Sequence, residues 1–110
     1  MPYDPDLLAR LQVILAGEPG LIIKKMFGGY GFMLGGNMAC GCMSDGGLIV
    51  RAGLEESVAL ATRPHAALME QRGKPMRGWL IVGRDGWEKD ADLRAWVAIG
   101  VAHARGLPVK

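Results

Sequence analysis

Thiol and imidazole metal ligands are scarce in this sequence: 110 residues hold two cysteines and two histidines. A disulfide framework is not expected, because Cys40 and Cys42 stand two apart, where one strand aims both thiols the same way and a bridge is strained. A zinc centre lacks support too, since such a site needs several closely placed Cys or His ligands. Charge of one sign is also missing. Thirteen basic residues meet 11 acidic ones for a net +2, so no overall field marks a nucleic-acid or membrane binder. No apolar run approaches the ~20 residues of a membrane span, and Met1-Pro2-Tyr3-Asp4-Pro5-Asp6 has neither the basic start nor the apolar core of a signal peptide. The expected location is cytoplasmic, where both cysteines stay thiols.

Glycine is plentiful, with 17 residues in a chain that is 50% apolar. That composition predicts one domain over residues 1–110, large enough to bury roughly two-thirds of its unfolded surface. From Lys24 to Gly53 apolar runs of strand length are broken by Gly35-Gly36 and by Ser44-Asp45-Gly46-Gly47, the rhythm of antiparallel hairpins. A turn at Gly35-Gly36 sets Phe32 opposite Ala39, Tyr30 opposite Gly41 and Met33 opposite Met38. A turn at Asp45-Gly46 sets Met43 beside Leu48 and Gly41 beside Val50. Tyr30, Phe32, Leu34, Ala39, Met43, Leu48, Val50 and Ala52 then share a core face. Gly31, Met33, Met38, Cys40, Cys42, Ile49 and Arg51 share the other, with Arg51 beside Cys40, or beside Cys42 if the turn moves to Gly46-Gly47.

Around this meander the spacing predicts helices. Asp4-Pro5 starts one that runs to about Ala16, with Leu7, Leu8, Leu11, Ile14 and Leu15 on a buried stripe. Residues 21–27 form the first strand, and Leu54 to Thr62 a short middle helix led by Glu55 and Glu56. Residues 63–74 read as irregular, with a helical turn available from Ala66 to Gln71. Gly78 to Gly83 reads as a strand closed by Arg84-Asp85-Gly86. Asp90 caps a last helix carrying Leu93, Trp96, Val97, Gly100, Val101 and Ala104, where Gly100 implies close backbone packing. Trp79 is expected in the core, and Trp87 exposed at an interface. The fold class is α+β: an antiparallel sheet of about five strands flanked by an N-terminal, a short middle and a C-terminal helix.

Lys24 to Phe32 with its Met26-Phe27-Gly28-Gly29 centre, the strand Asn37 to Met43, Gly73-Lys74-Pro75-Met76, and Asp92-Leu93, Trp96-Val97 and Gly100 together resemble the TfoX/Sxy family, specifically its N-terminal domain. The likeness runs through essentially the whole chain in order. It implies an α+β fold and a place in regulation, since founding members are associated with natural competence genes. Longer members carry a C-terminal domain suggestive of DNA binding, so direct nucleic-acid binding is not expected of residues 1–110 alone. The family offers no catalytic residues to carry over.

Three groups of residues carry candidate chemistry. Cys40 and Cys42, with Met38 on the same predicted face, offer soft ligands for an ion such as Cu(I), and Arg51 beside a cysteine would favour its thiolate. The plainer reading is two small buried residues, as free cysteines usually are. Arg63, Arg72, Lys74, Arg77 and Arg84 face only Glu70 in their stretch; this basic patch suits phosphate or an acidic partner, or is a solvated loop edge. Gly28-Gly29-Tyr30-Gly31 lacks the last glycine of a dinucleotide loop and reads as turn and bulge glycines. His65 reads as surface, and His103 as a partner for a helix C-terminus. No cofactor or catalytic residue is expected. The leading expectation is a non-enzymatic module that binds a protein partner, with no membrane association. A homodimer through an uncovered sheet edge or an exposed second sheet face is a further expectation, and the rival reading is an enzyme or ligand carrier with a pocket lined by Cys40, Cys42 and Arg51.

Overall fold

The computed structural model describes residues 3–26 and 28–109; Phe27, expected to close the first strand, lies outside them. Helix α1 spans Pro5–Leu15. It begins where Asp4 Oδ1 accepts the N–H groups of Asp6 and Leu7 at 2.9 and 3.4 Å, followed by a proline whose missing N–H costs nothing there. The other Asp4 oxygen accepts Arg84 at 3.0 Å. Asp4→Ala should therefore lower stability by about 1 kcal/mol, seen as an earlier urea midpoint at unchanged slope.

Six antiparallel strands form one sheet in the order β1-β2-β3-β4-β6-β5. They are β1 Leu21–Met26, β2 Gly29–Leu34, β3 Asn37–Cys42, β4 Leu48–Arg51, β5 Ala66–Gln71 and β6 Lys74–Val82. The sixth is β5, where a helical turn was expected. Arg72 and Gly73 take φ of 54° and 77°, the geometry of a two-residue hairpin turn, so pairing with β6 overrides the helix-forming residues of Ala66–Gln71. Helices α2 Leu54–Leu60, α3 Arg84–Trp87 and α4 Asp90–Arg105 complete the chain. Lys89, not Asp90, occupies the cap of α4; Asp90 lies in the first turn, where its charge suits the helix dipole.

Register departs from expectation at one residue. Met33 faces Met38 as the Gly35-Gly36 turn requires, but Phe32 faces Cys40, Gly31 faces Gly41 and Tyr30 faces Cys42. Ala39 is the extra residue of a β-bulge, which turns it and Cys40 both toward the core. The next loop is residues 43–47, closed by the Met43 N–H donating to the Gly47 carbonyl at 2.9 Å around Ser44-Asp45-Gly46. Gly46 has φ 87° and Asp45 Oδ1 accepts the Gly47 N–H at 2.8 Å, so Cys42 faces Leu48 and Cys40 faces Val50. Both thiols thereby leave the outer face on which the sequence placed them, since one residue of slip exchanges the faces of a strand.

The helices share one side of the sheet. Leu7, Leu11 and Leu15 of α1, Trp87 of α3, and Leu93, Trp96 and Val97 of α4 form a single buried cluster with Phe32, Cys40, Cys42, Leu48, Val50, Leu80 and Val82; Leu60 and Ala61 at the end of α2 pack against it. Trp87 is wholly buried, not exposed as expected. The Ser57 hydroxyl of α2 accepts the Gly78 N–H at 2.7 Å, fixing α2 to β6. At Gly100 the close approach anticipated from sequence is present: α4 crosses β3 so tightly that a Cβ would overlap the Ala39 carbonyl.

Candidate functional site

The thiols do not build a site. Cys40 is fully buried among apolar neighbours, and that burial, reinforced by Cys42, pushes its pKa from 9.0 to about 12. Burial raises Cys42 as well, so both are held as unreactive thiols at neutral pH. Arg51 lies apart from them: it faces Trp79 across β4 and β6, with its guanidinium carbon 4.4 Å from the ring centroid. Its Nε is buried without a hydrogen-bond partner, as is Nε2 of His103. Burial and the Arg51 charge lower the His103 pKa, so the imidazole is neutral and adds no cation to the helix terminus. His103 and Glu56 line a groove of about 560 Å³ between α2 and α4, which neither cysteine enters. Among the described residues no three His, Cys, Asp or Glu side chains gather into a metal-binding group, and no helix is long and apolar enough to cross a membrane.

The outer face of the sheet is different in kind. Lys24, Gly31, Gly41, Ile49, Ile81 and Ala67 stand directly opposite one another in a row across all six strands. The two glycines leave a trough in the middle of that row; the Tyr30 carbonyl and Gly31 Cα close in at Gly41, and methionines fill the rest. Met26 Sδ lies 2.6 Å from where a Gly31 Cβ would be, and Met38 Cε 2.9 Å from where a Gly41 Cβ would be. Met33 faces Met38. Farther along, Met69 faces Met76, and these two with Glu70, Gln71 and Trp79 line a cavity of about 260 Å³. Trp79 thus belongs to this face and not to the core.

Five of the chain's seven methionines lie here, and Ile49 is fully buried although among the described residues no helix packs over it. A surface of unbranched thioethers adapts to irregular partners, a use to which methionine is well suited. Beside it β1 is an open edge strand whose Ile22 and Ile23 are 54% and 39% exposed, with Lys24 and Lys25 discouraging like strands from adding.

Charge divides along the same plane. The ion pairs among the described residues join Arg10, Arg84, Arg94 and Arg105 to Asp4, Asp6, Glu18, Glu88 and Asp90, all on or beside the helical layer. The basic residues expected as one patch are spread out. Arg84 is paired with Asp4 and Glu88, and Arg63 rests on Trp96 at 5.5 Å. Only Arg72, Lys74 and Arg77 stay together, at the turn of the β5–β6 hairpin and just after it. These three, with Lys24 and Arg51, have no ion pair among the described residues. Sequence reasoning placed Met33, Met38 and Arg51 on the outer face but missed Met69, Met76 and Trp79, because β5 was not recognised and the alternation of β6 could not be extended back through it.

The family model of the TfoX N-terminal domain matches residues 14–104, which include every strand and all of α2, α3 and most of α4. Neither the curated proteins nor the solved structures contain a match to the chain.

Proposed function

This chain belongs to the TfoX N-terminal domain family, and on that premise we propose that it is a non-enzymatic module that works in regulation by binding another protein. The observation that carries this reading is the outer face, over which no helix packs among the described residues, apolar at its centre and lined by flexible methionines. Apolar faces of this kind mark interaction surfaces. The association of the family's founding members with competence genes supports a setting in gene regulation.

A double variant, Ile22→Asp with Met33→Asp, tests the reading. Both side chains are at least partly exposed, so circular dichroism should show the fold retained while the face becomes polar. Affinity capture from native cell extract should recover a regulatory protein with the wild-type chain and lose it with the variant. Recovery that is equal for both chains, or a copurifying small molecule in place of a protein, would overturn the module.

A further inference from the structure

We infer that the segment docking on the outer face is apolar and acidic, its aliphatic side chains lying on Met26, Met33 and Met38 and its carboxylates reaching the cations at the margins. This rests on the interaction-module reading and specifies the chemistry of the partner. The centre of the face is thioether and aliphatic, so it takes apolar side chains. Its margins carry Lys24 on β1 and Arg51 on β4, and Arg72, Lys74 and Arg77 extend the positive rim around the hairpin.

On the row and its flanking positions β1 to β4 contribute no carboxylate: β1 offers Ile22, Lys24 and Met26, β2 Gly31 and Met33, β3 Met38 and Gly41, β4 Ile49 and Arg51; the one acid in the six strands is Glu70 of β5, at the far end beside Met69, Met76 and Trp79. Within the helical layer, by contrast, arginines already hold carboxylates of this same chain. Charges that have no internal partner and rim an apolar centre steer a complementary partner and set its orientation, and the guanidinium groups can grip carboxylates through paired, charge-assisted hydrogen bonds.

Charge argues against the other occupants. A second copy placed face to face would bring Lys24, Arg51, Arg72, Lys74 and Arg77 to a surface whose strands carry one acid, Glu70, too few to receive them. Nucleic acid calls for a continuous basic track with several stacking rings, whereas here one tryptophan stands at one side of a thioether floor.

The experiment is to pan a phage-displayed library of random ~12-residue peptides on the immobilised protein, with the Ile22→Asp/Met33→Asp variant as counter-selection. Enriched peptides should combine Asp or Glu with Leu, Ile or Phe. Their binding should shift the methyl resonances of Met26, Met33 and Met38, and weaken about tenfold or more in Lys74→Glu/Arg77→Glu and in high salt. Enriched peptides that need the face but are neutral or basic would overturn the acidic partner and leave the module standing. An absence of face-dependent peptides would overturn both. Methyl shifts that grow with protein concentration alone would make the occupant a second copy, and preferential binding to phosphatidylglycerol vesicles would make it a membrane; either result overturns the inference.

Discussion

Gly100→Ala is expected to destabilise the protein by about 3 kcal/mol, at the upper end of the cost of overfilling a packed interior. The direction opposes helix propensity, by which alanine gains about 1 kcal/mol over glycine inside a helix. The steric reason wins because the new Cβ would overlap the carbonyl oxygen of Ala39, which is backbone of β3, a strand flanked by β2 and β4. Relief requires α4 to lift from β3, loosening Val97 and Ala104 from their neighbours. Thermal unfolding should show a midpoint lower by roughly 10 °C or more. A midpoint equal to or above wild type would show that α4 does not pass this close to the bulge.

The second large effect is alkaline instability carried by Cys40. Its thiol keeps its proton in the folded protein up to about pH 12, whereas the ordinary value is 9.0. Between those limits the unfolded chain binds fewer protons than the folded one, so stability falls as pH rises, by up to about 1.4 kcal/mol per pH unit. Below pH 9 this thiol contributes no pH dependence. Urea unfolding at pH 8 and pH 10.5 should therefore differ by about 2 kcal/mol from this group. In Cys40→Ala most of that difference should vanish, leaving a smaller slope from Cys42, which burial also raises. If the alanine variant lost as much stability as wild type between the two pH values, the thiol would not be the cause. At neutral pH the same burial makes both cysteines inert to thiol reagents until the protein unfolds.

Those thiols also show what could be read from sequence and what could not. The start of α1 was legible because Asp4-Pro5 has a local meaning that tertiary contacts do not change. The tight crossing at Gly100 was legible because a glycine inside a helical stripe needs a packing reason. The facing of Cys40 and Cys42 was not. Both faces of β3 are apolar, so the alternation of charge and grease that normally pins register is absent, and an inserted Ala39 leaves no trace in the pattern. Ala66–Gln71 failed for a different reason: its residues favour helix locally, and only the left-handed pair Arg72-Gly73 and the partner strand make it β. The two misplaced tryptophans follow. Trp79 took the outer face once β6 paired with β4, and Trp87 was drawn inward by the short helix α3. The outer face was half visible, through Met33 and Met38, and its other half depended on the strand that was missed.

The insertion at Ala39 also unbalances the middle of the sheet. An ordinary six-residue strand gives three side chains to each side, but β3 sends Asn37, Ala39, Cys40 and Cys42 inward and leaves Met38 and Gly41 outward. The helices gain an anchor, and the exterior is left one substituent short at its centre. The backbone of β2 closes over Gly41 through the Tyr30 carbonyl and Gly31 Cα, and the pliant ends of Met26 and Met38 fill what is left, so an incoming side chain can take the place of those ends by rotating unbranched bonds, with the backbone standing still.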